Sequence, residues 1–440
     1  MATPWSRSAA WTDGEFSIAQ VPVSALAREF GTPTFLLDHA DLVHRSRQIV
    51  VAAQQAGREH GIATAVYYAS KAFSSTAVLR WMSQEGLRVD VASLGELLTA
   101  IRAGIRGPDL GLHGNNKSVE EIDTALAHGV GRIVIDSIPE IAVVAERARH
   151  LGVSAPVMLR ITTGIHAGGH EFIATAHEDQ KFGLSLASGA ARAAIDAVRR
   201  EPGLRLVGLH SHIGSQIMAA DGFAASASAL LRLRRDAAVD GPLLDELDIG
   251  GGFGVDYVGD EQAPDPATVI GDLVAHVARD SAALGVEPPA LSFEPGRAIV
   301  GPAMTTLYRV GTVKPVQLDS GQRLYVSVDG GMSDNLRTAL YDARYTAALA
   351  SRTSQADLVP ARVVGKHCES GDIVVRDVLL PADIECGDLL VVPVTGAYGR
   401  SLASNYNQVP RPGVVVVGDG DPRQILRRET IDDILALDLG

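Results

Sequence analysis

The chain has 440 residues, 46% of them hydrophobic and 45 of them glycine, enough to bury a full core with material left for a second domain. Its formal net charge of −13, without any basic run, argues against nucleic acid or another polyanion as a partner. No signal-type apolar core follows the N-terminal MATPWSRSAAW and no apolar run is long enough to cross a bilayer, so we expect a cytoplasmic protein with no membrane partner. Cys368 and Cys386, the two cysteines, read as thiols in a chain whose size needs no disulfide.

In chain order, a helix-like VSALAREFG and a strand-like TPTFLLD come first, and we expect both to pack onto a later domain. From residue 65 onward, apolar strand candidates alternate without a break with stretches of helical spacing: AVYYA, LRVDVA, LGLH, RIVID, VMLRI, LRLVGLHSH, ELDI and ALSFE. Runs such as RIVID and VMLRI are apolar almost throughout, as parallel strands buried on both faces must be. Glycines stand where the intervening helices need C-caps. A doubly wound sheet fits the alternation too, but about eight units favour closure into a (β/α)8 TIM-type barrel, which we place at residues 46–305. After Arg297 the pattern changes to strand-like runs separated by turn signals, so residues 1–45 and 306–440 are expected to form a β-rich domain of the alanine racemase-like kind.

Most strand candidates end in polar or glycine clusters, and in a barrel those ends share one mouth. Lys71 follows the first strand, and an ammonium in apolar surroundings costs several kcal/mol unless it is neutralised or paired. Linked to an aldehyde it loses that cost; the bland reading is a lysine snorkelling from a loop. GGGFG at residues 250–254 offers backbone amides unobstructed by side chains, as a phosphate needs, although a tight strand-to-loop turn has the same composition. Val255 stands where GxGxxG would require its last glycine, which disfavours a dinucleotide fold. EPGR puts Glu294 and Arg297 at the end of the last strand, either as partners for a ring nitrogen and an anion or as an ion pair with each other. A lysine and a phosphate-type loop at one mouth point to pyridoxal phosphate.

HSHIGSQ places His210 and His212 after the sixth strand, where either imidazole could stack on a pyridine ring, with Ser215 as a phosphate donor. His166 and His170 share i, i+4 spacing, and His177 follows, but Gly164, Gly168 and Gly169 make a poor helix to present them. We assign no metal site and expect a lid-forming loop there. In the β-rich part, GKHCESGD carries Cys368 and Glu369, an acid pair able to protonate a carbanion or else an ordinary turn. DGGMSDNLRTALYD puts Arg337 and Tyr341 on one face of a short helix, and GAYGRSLASNYN adds Tyr398.

Together YYASKAF, HGNNKS, HEDQKFGLS, HSHIGSQ, GGGF, EPGR, DGGMSDN, GKHCESGD, GAY and SNYN make the chain resemble the fold-type III pyridoxal phosphate decarboxylases from about Val21 onward, and most of all their actinobacterial branch acting on diaminopimelate. The resemblance implies pyridoxal 5′-phosphate bound to Lys71, with His212 stacked on its ring and Glu294 at its nitrogen. Ser215, Gly250, Gly251, Gly252, the Pro295, Gly296 and Arg297 backbone and Tyr398 would hold the phosphate end. Arg297, Arg337, Tyr341 and Tyr398 would bind the amino-acid substrate, Glu369 would read its distal amino group, and Cys368 would donate the proton. A homodimer with shared active sites is also implied, Cys368 and Glu369 serving the neighbouring subunit. The implied reaction converts meso-2,6-diaminopimelate to L-lysine and carbon dioxide. Gly399 and Arg400 depart from the family pattern after GAY and bear on pocket shape. A decarboxylase of another basic amino acid, a racemase of the same fold and a catalytically silent relative are the alternatives.

Overall fold

The computed structural model describes residues 4–165, 181–319 and 321–440, so the loop carrying His166, His170 and His177 lies outside the described residues. The chain divides into two compact units: Arg45–Gly254 with Ala263–Ala298, and Met1–His44 with Val255–Gln262 and Ile299–Gly440.

The first unit is the expected barrel. Its eight parallel strands are Thr64–Ala69, Arg88–Val91, Leu110–Leu112, Arg132–Ile135, Ala155–Thr162, Leu204–His210, Glu246–Asp248 and Ala290–Phe293, each paired with its successor. The ring closes where Leu291 pairs with Thr64 and Phe293 with Val66. The helices between strands begin and end where local chemistry dictates. Ser118 and Glu121 form a reciprocal capping box at the start of Val119–His128, while Ser75 and Ser93 accept from the amides of Val78 and Glu96. Gly104, Gly129 and Gly152 close three helices in the left-handed conformation that glycine adopts without steric cost.

The barrel interior contains an ionic layer as well as an apolar one. Arg132, only 1% exposed, points inward from the fourth strand. Its Nη2 lies 2.6 Å from Asp248 Oδ2 and 3.3 Å from Asp90 Oδ1, and its Nη1 donates to Ser292 Oγ at 2.9 Å. The guanidinium also sits 3.6 Å from the centroid of the Tyr67 ring. Five strands are thus tied to one cation, in a region where an unpaired charge costs several kcal/mol.

The second unit is β-rich, as expected. Its main sheet runs in the order Ile373–Pro381, Leu358–Val364, Gly321–Val328, Met304–Leu318, Thr34–Asp38, Gly413–Val417 and Arg423–Leu426. The N-terminal segment does pack here: Thr34–Asp38 lies antiparallel to Met304–Leu318 and parallel to Gly413–Val417, and the amphipathic helix Val23–Phe30 buries Val23, Leu26 and Ala27. Those side chains share a core with Phe16, Leu36, Leu307, Val391 and Val415.

Arg132→Met should lower the unfolding free energy of the barrel by ~3–5 kcal/mol, because Asp248 is left charged and uncompensated. The double variant Arg132→Met/Asp248→Leu should recover part of that loss in urea titrations. Equal losses in both would show that packing alone holds the layer.

Candidate active site

The ends of the barrel strands enclose a cavity of about 170 Å³, and a cavity of ~150 Å³ is already enough for one benzene ring. Lys71, His113, Arg160, His210, His212 and Glu294 line it. Lys71 sits in the short 3-10 turn Ser70–Ala72 that directly follows the first strand, and its side chain is exposed. The expectation that burial makes this lysine unusual is therefore corrected: Ser70 and Ala72 of the turn are buried, but Lys71 itself is exposed and lines the cavity. The turn is braced by the Ala69 amide, which donates to the Pro295 carbonyl at 3.3 Å. Gly296 lets the two loops touch, since a Cβ there would lie 2.9 Å from the Ala69 carbonyl oxygen and 3.1 Å from Ala72 Cβ.

Glu294 forms the floor. Its Oε1 is 3.1 Å from His210 Nε2, 3.3 Å from His113 Nε2 and 3.7 Å from Arg132 Nη2. Burial would raise its carboxyl, but the two imidazoles and the guanidinium outweigh burial and hold it well below the ordinary carboxylate range. Asp90 goes the other way: burial, reinforced by the Glu294 and Asp248 charges, raises it well above its usual value against the pull of Arg132. Burial pushes the His113 imidazole down to about 3, against the pull of Glu294. The pocket floor thus drives two neighbouring carboxyls in opposite directions. His113, His210 and Glu294 place three ligand atoms within 4.8 Å of one another, but the nearby Arg132 guanidinium already supplies the cation there.

The two histidines of HSHIGSQ divide the work. His210, at the strand end, faces Glu294, whereas His212 Nδ1 accepts the Gly251 amide at 3.2 Å. Burial, together with the Lys71 and Arg160 cations, lowers His212 well below its ordinary value, which leaves a neutral ring able to lie against an aromatic cation. The glycine loop behaves differently from the open cradle expected of it. The Gly250 amide donates to Asp248 Oδ1 at 2.7 Å and the Gly251 amide to His212, so both serve the loop itself. A Cβ on Gly251 would lie 2.0 Å from the Glu294 carbonyl oxygen, and one on Gly252, whose φ is +102°, 2.2 Å from that of Gly214. These glycines are needed because three loops meet backbone to backbone. Beside them Arg297 Nη2 donates to Ser215 Oγ at 2.7 Å, leaving the hydroxyl proton free to point at an anion.

The remaining candidates lie in the β-rich unit. Arg337 starts the five-residue helix Arg337–Tyr341, as its spacing from Tyr341 implied, but its Nη1 donates to Tyr345 Oη at 2.8 Å and its guanidinium lies 4.6 Å from the Tyr257 ring centroid. Burial opposes its charge, and the phenols of Tyr257, Tyr345 and Tyr398 reverse that effect and raise it. Tyr398 holds a left-handed backbone at φ 61°, a conformation rare outside glycine. Cys368 and Glu369 stand exposed on a turn, with Glu369 Oε1 accepting from the Gly371 amide and the Ser370 hydroxyl at 3.2 Å each. The usual burial of cysteine does not hold at Cys368.

Sequence reasoning passed over Asp90, His113, Arg132, Arg160 and Asp248. The signal was present: each of the four charged residues stands in a parallel strand of the barrel, where a buried charge must be paired.

The family profile "Pyridoxal-dependent decarboxylase, pyridoxal binding domain" matches residues 46–301. The chain belongs to the pyridoxal-dependent decarboxylases, and its cofactor is pyridoxal 5′-phosphate. Over 432 residues it is 50% identical to diaminopimelate decarboxylase of Mycobacterium tuberculosis, covering 97% of this chain and 95% of that one; the Bacillus subtilis enzyme of the same name is 42% identical over 427 residues, covering 97% and 95%. The crystal structure of diaminopimelate decarboxylase from M. jannaschii in complex with L-lysine superposes with a TM-score of 0.92 at 30% identity, covering 100% of this chain and 99% of that one. Within the larger group, the chain belongs to the diaminopimelate decarboxylase family.

The site fits that cofactor. Among the described residues Glu294 Oε1 is buried without a well-aligned hydrogen bond, so a protonated ring nitrogen would complete it. Lys71 offers an exposed amine to the same cavity, and Ser215 with Arg297 offers an anion site.

In the β-rich unit, burial raises the Asp334 carboxyl to about 7. A carboxyl that binds its proton more tightly when folded stabilises the fold at low pH, and that contribution disappears as pH rises from about 4 through about 7. Thermal unfolding should therefore show a loss of stability over that window, on the order of a few kcal/mol, that Asp334→Asn abolishes. An unchanged pH profile in the variant would contradict the assignment.

Proposed function

We propose that this chain decarboxylates meso-2,6-diaminopimelate to L-lysine and carbon dioxide. The observation that carries this reading is 50% identity across 97% of the chain, which spans both units and therefore the barrel pocket and the Cys368 turn alike. The bound cofactor supplies a conjugated, positively charged ring that accepts the electron pair of the breaking carbon–carboxylate bond.

The residues of the chain make that chemistry directional. Lys71 Nζ would supply the amine that holds the cofactor aldehyde. Glu294, on the floor of the cavity, would keep a proton at the ring nitrogen, and His212 would pack against the ring. Ser215 and Arg297 would bind the phosphate end, beside the Gly250, Gly251 and Gly252 loop, Pro295, Gly296 and Tyr398. Arg337 and Tyr341 take the substrate carboxylate, and Glu369 pairs with the distal ammonium. A proton held at Cys368 Sγ, or on a water beside it, replaces the lost carboxylate at the α-carbon.

The enzyme works as a homodimer in which Cys368 and Glu369 of each subunit complete the partner's site. Their exposure on a braced turn supports this reading. Both cysteines are free thiols, which suits the reducing cytoplasm.

Supplied with meso-diaminopimelate, ornithine, lysine or arginine, the purified protein with pyridoxal phosphate should release carbon dioxide and an amine only from the first, the amine being lysine. Borohydride reduction should fix one cofactor on each wild-type chain at Lys71; Lys71→Ala should carry none and make no lysine. An active Lys71→Ala enzyme would sink the assignment. Lys71→Ala and Cys368→Ala chains, each inactive alone, should recover about a quarter of wild-type activity when unfolded and refolded as a 1:1 mixture, the yield expected of two-fold dimers with one intact site. No recovery would speak against sites shared between subunits.

A further inference from the structure

The Cys368–Glu369 turn is exposed, yet it hangs from a buried knot. His367 is 8% exposed, Asp372 3% and Ser333 4%. Asp372 closes the base of the turn: its Oδ2 accepts the His367 amide at 2.7 Å, its Oδ1 accepts the Met332 amide at 2.6 Å, and its own amide donates to the Glu369 carbonyl at 3.1 Å. Three separate segments meet at this point, those of DGGMSDN, GKHCESGD and SNYN.

Which ring atom of the imidazole carries a hydrogen toward Asn407 follows from its neighbours. A backbone N–H can only donate, and that of Cys368 lies 3.3 Å from Asn407 Oδ1, so the Asn407 atom facing it is the oxygen. The same oxygen lies 3.1 Å from His367 Nδ1, which must therefore carry a hydrogen. In the neutral ring Nε2 is then an acceptor, and the Ser333 hydroxyl, 2.7 Å away, donates to it. Asn407 holds this position with a left-handed backbone, φ 53°, which asparagine tolerates better than most residues. Gly331 leaves room for the ring: a Cβ there would lie 2.8 Å from His367 Cδ2. A rigid plane with a nitrogen on each edge ties the three segments together, and imidazole provides it.

We infer that His367, bridging Asn407 through its Nδ1–H and Ser333 through Nε2, is a positioning residue that aims Cys368 and Glu369. The inference rests on the proposed role of those two residues, but the clasp has its own readout. Cys386 is a second exposed thiol in the same unit and serves as an internal reference.

The experiment compares holoenzyme of wild type, His367→Asn, His367→Phe and Ser333→Ala. Asparagine places an amide N–H near the position of Nδ1 and keeps the bond to Asn407, phenylalanine fills the space without either bond, and Ser333→Ala trims a single hydroxyl. Each is treated with iodoacetamide, and alkylation of Cys368 relative to Cys386 is followed by peptide mass; kcat and KM for diaminopimelate are measured in parallel. His367→Phe should change the alkylation ratio at least about threefold and lower kcat at least about tenfold with little change in KM, and His367→Asn should restore most of both. Ser333→Ala should move the ratio in the same direction, and it serves alone should His367→Phe fail to fold. A wild-type ratio in His367→Phe and Ser333→Ala, or equal damage in His367→Asn and His367→Phe, would overturn the positioning role. Full turnover by Cys368→Ala would instead overturn the function assigned to the turn, a result the alkylation ratio does not touch.

Discussion

A single buried guanidinium organises the barrel. Arg132 neutralises Asp248, faces Asp90 and stands 3.7 Å from Glu294, so the charge state of the pocket floor depends on it. Remove that cation and Asp248 and Asp90 would lose the charge that faces them, in a space too dry to keep both ionised. Layers of branched aliphatics usually fill such barrels. Here part of the filling is electrostatic, and it holds the group on which the chemistry turns.

The architecture was largely legible in the chain because both of its signals are local. Apolar runs such as RIVID and VMLRI must be buried on both faces, and Ser118 with Glu121 or Gly129 marks a helix end within a few residues of sequence. TPTFLLD, expected to pack with the later strands, forms Thr34–Asp38 and pairs with Met304–Leu318 and Gly413–Val417. Site residues were legible where they stood in glycine or polar motifs at strand ends. Those within strands were not: Arg132 and Asp248 lie 116 positions apart and become partners only when the ring closes. The exposure of Lys71 was not legible, because its neighbours Ser70 and Ala72 in the same short turn are buried.

The two units meet the demands of catalysis in different ways. In the barrel, groups project from neighbouring strand ends and are held by hydrogen bonds to adjacent backbone, as His212 is by Gly251. In the β-rich unit, long loops bring residues distant in sequence together, and precision must come from side chains that tie loop to loop. His367, Asp372 and Asn407 do this for the Cys368 turn, while Tyr257 and Tyr345 do it for Arg337. That division explains why polar residues buried in the second unit are concentrated near its loops.

The place of Thr34–Asp38 in the middle of its sheet has a consequence for biosynthesis. One of its neighbours, Gly413–Val417, leaves the ribosome after the whole of the barrel. Every strand of the barrel has emerged by then, and that unit has the nearest-neighbour connectivity to assemble while translation continues. Thr34–Asp38 must wait until then with one edge uncovered, open in the meantime to pairing with the wrong strand.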